Sequence, residues 1–183
     1  MAVRYKIKIR KIMPYILCFI VTAVITLLVN RFVISSVKVS GDSMVPTFQN
    51  NERLLMYKLT IDPERNDIVV CKNNVSGTGY IIKRCIGVEG DTIIIDYINS
   101  KVYVNGEELN EDYLSENYMF EVNDHGEKLA DGVYKYTVPK ECIFVLGDNR
   151  NSSLDSRDAM VGYIGLSDIS GTVIFDVSDW SFI

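Results

Sequence analysis

The chain has 183 residues, 48% of them hydrophobic, a formal net charge of −5 and a single histidine. That length admits one domain plus an appendage, with apolar content enough for a core. Residues 32–183 carry 13 basic against 24 acidic side chains, a net of −11, which argues against nucleic acid as a partner because phosphate neutralisation needs a positive face.

The amino end is the opposite in character. Arg4, Lys6, Lys8, Arg10 and Lys11 precede an uncharged run from Ile12 to Asn30, bounded by Arg31. As a helix those positions span about 28 Å, close to the thickness of a bilayer's hydrocarbon core. The reading is a membrane-spanning anchor with its basic end in the cytoplasm and the remainder outside. A cleaved signal peptide is the rival, but its apolar region is usually only about 7–15 residues, and Ser35-Ser36-Val37-Lys38 is a poor cleavage site. Pro14 is expected in the first helical turn, where its missing N–H costs little. No second apolar run is long enough to span.

Next comes Val39-Ser40-Gly41-Asp42-Ser43-Met44-Val45-Pro46-Thr47, closing an alternating apolar run (Val33, Val37, Val39). A strand ending in a tight turn is expected, with Gly41 giving the backbone freedom to turn and Ser43 at the mouth of a sheet. Such Gly-Asp-Ser loops are common, so the stretch alone does not establish a nucleophile.

The rest reads as β-rich. Predicted strands are Phe32–Ser40, Arg53–Lys58, Asp67–Lys72, Tyr80–Val88, Thr92–Tyr97, Lys101–Asn105, Tyr134–Val138, Ile143–Gly147 and Ser170–Val177, separated by Gly, Asn, Asp or Pro. Asn105-Gly106 signals a turn, and Thr92–Asn105 reads as a hairpin with Asn99-Ser100 near its tip. The one further helical candidate is Ser152–Met160.

Within Tyr80–Asp91, Lys83 stands in a strand among apolar neighbours, where a lysine is normally expelled to solvent. If its face is covered, desolvation lowers its pKa, and a neutral amine near Ser43 can take the hydroxyl proton. An edge-strand lysine facing water is the alternative.

From Glu107 to Asp131 there are nine acids against one base, read as a surface insertion. His125 lies inside it as a solvated loop residue, which leaves no histidine for a Ser-His-Asp triad. Cys18 is in the anchor; Cys71, Cys85 and Cys142 read as small buried hydrophobes, with a Cys71–Cys85 contact left open. No metal-ligand spacing and no cofactor motif is present. Trp180 and Phe182 are expected to pack on the core, the alternative being contact with lipid headgroups alongside Phe32, Val33 and Ile34.

The third motif is Gly147-Asp148-Asn149-Arg150-Asn151-Ser152-Ser153-Leu154-Asp155-Ser156-Arg157, directly after an apolar strand. So dense a set of short hydrogen-bonding side chains suits a rigid supporting shell. With this motif the chain resembles the type I signal peptidase family, of the single-anchor kind seen in Gram-positive bacteria. Four blocks carry the resemblance in order: the anchor, Gly-Asp-Ser-Met-x-Pro-Thr, Lys-Arg-x-x-Gly-x-x-Gly-Asp, and Gly-Asp-Asn-Arg-x-x-Ser-x-Asp-Ser-Arg.

The resemblance implies a mainly β fold: cytoplasmic residues 1–11, an anchor at 12–31, and an extracytoplasmic peptidase domain at 32–183 built on a partly barrel-shaped antiparallel sheet, with a variable insertion at about 97–137. It implies a serine endopeptidase that removes signal peptides from secreted preproteins after Ala-x-Ala-type sites. Ser43 matches the nucleophile, Lys83 the general base, and Ser153 the serine that orients that lysine. Asp155 and Arg157 match a supporting ion pair, with Asp148 and Arg84 as structural helpers. The oxyanion donor would be the Ser43 backbone N–H. Some members add a serine hydroxyl where this chain has Gly41, so a second donor there would be a backbone group or water. Asn66 replaces a usual glycine, tolerable because asparagine accepts positive φ. A groove around Val39, Ser40, Met44, Ile81 and Ile82 would take the substrate as an added strand. The implied partners are signal peptides and the lipid bilayer, and the enzyme is expected to be monomeric. The alternatives are a self-cleaving repressor-type Ser/Lys peptidase, disfavoured by the membrane-spanning amino end, and an inactive anchored β module.

Overall fold

The structure is a computed structural model describing residues 2–59, 62–73, 79–116 and 118–183; the side chains of residues 2–11, the basic cluster among them, lie outside the described set. Helix α1 runs from Ala2 to Phe32. Its stretch Ile12–Phe32 has a mean hydropathy of 2.6 and is not buried by the rest of the chain. Pro14 therefore sits well inside the helix rather than in its first turn, because the basic segment continues the same helix. At the far end Lys58 Nζ donates to the carbonyl oxygen of Arg31 at 2.8 Å, satisfying one of the terminal carbonyls a helix leaves open.

The strands are β1 Ile34–Lys38, β2 Arg53–Tyr57, β3 Ile68–Lys72, β4 Tyr80–Gly87, β5 Thr92–Asp96, β6 Lys101–Val104, β7 Glu107–Glu108, β8 Glu127–Ala130, β9 Val133–Thr137, β10 Cys142–Leu146, β11 Ile164–Gly165, β12 Ile169–Asp176 and β13 Ser181–Phe182. All nine predicted strands are present within a residue or two of their expected limits. The larger sheet has the order β1-β2-β12-β3-β4-β10-β11, with β13 added to β12; the smaller is β7-β6-β5-β9-β8. Pairing is antiparallel throughout, and register shifts in β10 and β12 curl the larger sheet.

Apolar residues on alternate strand positions build the core. Ile86, Ile93, Ile95, Tyr136, Phe144 and Leu146 pack between the two sheets. A second cluster, with Val39, Met44, Phe48, Leu54, Ile68 and Val70, seats the turn that carries Ser43. The nucleophile candidate is thus held by buried side chains on both sides of it in sequence.

Three expectations are corrected. The acidic 107–131 segment supplies β7 and β8, the two edge strands of the smaller sheet, instead of lying around it as an insertion. Only a 3-10 turn, Arg150–Ser152, stands near the expected helix, because the Asp155 and Ser156 side chains bond to backbone N–H groups of β10 and Gly147. Trp180 and Phe182 are 78% and 85% exposed, each ring meeting Phe175 in a T-shaped arrangement. Cys71 and Cys85 are buried, as read from the sequence, and are not bridged; burial pushes each thiol up to about 12. His125 is exposed, as expected, although its Nδ1 reaches the Arg157 carbonyl oxygen at 2.9 Å.

Candidate active site

Gly41 adopts a φ of +87°, a left-handed conformation open to glycine at little cost, and so redirects the chain after Ser40. Met44, 1% exposed, and Phe48, 2% exposed, then lock the turn onto the sheet, leaving Ser43 between them and the cleft. Lys83 comes from the middle of β4, opposite Val69 of β3, and is only 3% exposed. Its Nζ lies 2.6 Å from Ser43 Oγ and 3.1 Å from the carbonyl oxygen of Ile82. Burial disfavours the ammonium and lowers the Lys83 pKa below its ordinary value, against the opposing pull of Asp155.

The residues around this pair form two buried ion pairs. Arg84, next to Lys83, is bidentate with Asp148 at 2.9 and 2.6 Å and also donates to the Asn66 carbonyl oxygen. Asn66 has a φ of 75°, the conformation expected of it. Thr47, for which the sequence suggested no role, donates its hydroxyl to Asp148 Oδ2 at 2.5 Å. Asp148 therefore ties the strand of Lys83 to the turn of Ser43. Arg157 and Asp155 pair at 2.8 and 3.0 Å with neither side chain exposed. Burial alone would raise the Asp155 carboxyl, yet the Arg157 guanidinium holds it below the usual carboxylate range. Asp155 also accepts the backbone N–H of Gly147.

Two expected contacts are not formed. Ser153 does not bond to Lys83; its buried Oγ has no hydrogen-bond partner among the described residues, since it is turned beneath Gly147 while Lys83 uses the Ile82 carbonyl. The Gly41 N–H donates instead to Asn50 Oδ1 at 3.2 Å, so it does not face the cleft as an oxyanion donor. The Ser43 N–H meets no acceptor among the described residues.

A cleft of about 520 Å³ opens on Ser43 and Lys83. One wall is Ser36–Ser40, with Val39 buried; the other is Tyr80–Lys83, where Ile81 is buried and Ile82 half-buried. Met44 joins them, so all five expected groove residues line it. Met56, Val70, Leu154 and Val161 also contribute, and these the sequence motifs did not single out. Among the described residues no cluster of His, Cys, Asp and Glu is arranged to hold a metal ion.

Comparison with known proteins places this geometry in context. The family described as "Signal peptidase, peptidase S26" matches residues 12–178. Signal peptidase I P of Bacillus subtilis subsp. natto is 38% identical over 163 residues, covering 87% of this chain and 85% of that protein. Signal peptidase I S of Bacillus subtilis (strain 168) is 33% identical over 169 residues, covering 91% and 89%. A crystal structure of a signal peptidase I from Enterococcus faecalis V583 matches with a TM-score of 0.46 at 33% identity, covering 61% of this chain and 96% of that one. With residues 12–178 matched by the family and relatives above 30% identity aligned over most of both chains, the chain belongs to the signal peptidase I family, S26 peptidases that remove signal peptides.

Proposed function

We propose that this peptidase cuts preproteins by attack of Ser43, with Lys83 as general base, at sites of the Ala-x-Ala type presented at a membrane surface. The carrying observation is the 2.6 Å separation of Lys83 Nζ from Ser43 Oγ with the lysine shut away from solvent. A desolvated amine is neutral at lower pH than a solvated one, and a neutral amine has the lone pair to accept a proton. As Ser43 Oγ bonds to the scissile carbonyl carbon, its proton passes to Lys83 Nζ. The C–N bond then breaks, the ammonium returns the proton to the leaving amine, and an acyl-enzyme remains on Ser43. Water, deprotonated by the same amine, adds to the ester; the C–Oγ bond breaks, the ammonium returns its proton to Ser43 Oγ, and the signal peptide leaves with a free carboxylate. The Ser43 N–H, which meets no acceptor among the described residues, stabilises the oxyanion in both steps of this reading.

The substrate binds as an extended segment beside β1, which has no partner strand on its outer edge among the described residues, and beside the exposed beginning of β4. Apolar walls with Val39, Ile81 and Leu154 leave room for small side chains at the −1 and −3 positions. Helix α1 crosses the bilayer with its basic end in the cytoplasm, placing the catalytic domain outside. Ser43 then lies 12 residues beyond Arg31, and sharing a membrane with the substrate raises the effective concentration of each for the other. Signal peptides and the bilayer are the partners, and the monomer contains every residue the reaction uses. The test is the position of the cut: the enzyme incubated with a membrane-inserted preprotein should release a mature chain beginning directly after Ala-x-Ala. Cleavage of variants carrying a bulky residue at −1 at an undiminished rate would overturn the specificity.

A further inference from the structure

The acidic segment after β7 reaches back into the machinery at two points. The ring of Tyr113 covers the guanidinium of Arg84, whose Cζ lies 4.0 Å from the ring centroid. Glu111 pairs with Arg150, and both side chains are largely buried, 12% and 4% exposed. Tyr113 joins the two contacts, since its hydroxyl donates to Glu111 at 3.2 Å and lies 3.4 Å from Arg150. Further along, Asn151 donates to Glu116 and to the Tyr118 carbonyl oxygen and accepts the Phe120 N–H. Met119, 6% exposed, fixes this strap to the smaller sheet, its N–H donating to Ser100 Oγ.

The charges thus held are those behind the dyad. Arg84 has three of its N–H groups occupied by Asp148 and the Asn66 carbonyl, and the aromatic ring closes a face that water would otherwise reach. Arg150 donates to the Gly147 carbonyl oxygen and so closes the turn that carries Asp148 and Asn149. Without Glu111 that guanidinium would be a buried charge lacking its counterion.

We propose that Glu111 and Tyr113 are positioning residues for peptide cleavage, acting through Arg150 and Arg84 on the Asp148 bridge that sets Ser43 against Lys83. Neither touches the cleft, so their effect falls on the reaction step and not on substrate binding. Loosening the Arg84 side of the bridge admits water toward Lys83, which is faced by Asp155, Cys71, Asp148 and Arg157. The lysine then loses desolvation, and its titration moves back toward the ordinary lysine range.

This rests on the Ser43/Lys83 reading, and the experiment separates the two. Full-length enzyme in detergent micelles is assayed on a preprotein as wild type, Ser43→Ala, Tyr113→Leu, Tyr113→Phe and Glu111→Gln, with kcat and KM measured from pH 6 to 10. Tyr113→Leu and Glu111→Gln should lose about 10- to 100-fold in kcat, the scale set by a misplacement of about 1 Å, with KM within about twofold. The acid limb of the Tyr113→Leu profile should move to higher pH, and Tyr113→Phe, which keeps the ring, should stay near wild type. Unchanged kcat in both Tyr113→Leu and Glu111→Gln, a loss carried by KM, or an unmoved acid limb overturns the proposal while Ser43→Ala remains inactive. Turnover by Ser43→Ala overturns the dyad itself.

Discussion

The backbone N–H of Asn149 donates to the carbonyl oxygen of Ser43 at 3.0 Å, so the loop after β10 is bonded to the main chain of the proposed nucleophile. That closeness depends on Gly147. A Cβ there would lie 2.2 Å from Ser153 Oγ and 2.5 Å from the Ser43 carbonyl oxygen, and the second of these is backbone that cannot rotate away. Gly147→Ala should therefore push the two loops apart, costing about 1–3 kcal/mol in stability and most of the activity. Thermal unfolding and preprotein cleavage check both. A stable and fully active Gly147→Ala enzyme would mean that the contact is not required.

The Asp155–Arg157 pair has no solvent to replace a lost partner. Asp155→Asn should destabilise the protein by about 3–5 kcal/mol, whereas exchanging both residues for apolar ones should cost less, because no buried charge is then left alone. Melting temperatures of the single and double variants decide the order. The pair also has a pH signature: the folded Asp155 carboxyl titrates below its unfolded value of about 3.9. Its stabilisation is full above that value and is lost as pH falls through the folded pKa.

Lys83 gives the same sign, in a higher pH interval. The unfolded chain keeps this proton up to about pH 10.4, while the folded chain releases it at lower pH because the side chain is desolvated. The unfolded state binds more protons across that interval, so stability rises with pH through it. Cleavage should rise over the same limb, from the folded Lys83 pKa, as the amine becomes a base. A rate profile flat from pH 5 to 9 would remove Lys83 as the proton acceptor.

Two groove residues should separate binding from folding. Leu154 is 39% exposed and lines the cleft, so Leu154→Ala should raise KM with little change in kcat or melting temperature. Ile81 is 8% exposed and packed among Val69, Cys85 and Val145; its replacement by alanine should cost about 2–5 kcal/mol and admit a larger side chain at the cleavage site. Steady-state kinetics on preproteins with Ala or Val at the cut, set beside melting curves, distinguish the two outcomes.

Much of this was legible in the sequence, because long alternating strands such as Thr92–Asp96 carry their own pattern and the motif glycines and polar clusters stand out from it. The strands that escaped notice are short edge pieces. Glu107–Glu108 and Glu127–Ala130 are wholly exposed, so no burial alternation marks them, and only their partners make them strands. Ser43 and Lys83, 40 positions apart, could be singled out by motif, but their contact depends on the turn of Ser43 packing on β3, the neighbour of the strand that carries Lys83. Ser153 shows the limit: its place in the motif suggested a bond to Lys83, yet the Ile82 carbonyl, supplied by the same strand, meets that amine instead. Glu111 and Tyr113 read as members of an acidic surface because nothing in their spacing signals that Arg150 and Arg84 are buried opposite them.

The most direct measurement is cleavage of a preprotein by membrane-reconstituted enzyme in three forms, wild type, Ser43→Ala and Lys83→Ala, with insertion and melting temperature followed in parallel. Both variants should insert, fold and bind the substrate yet release no mature chain above the uncatalysed level. Substantial turnover by either folded variant would contradict the Ser43–Lys83 mechanism.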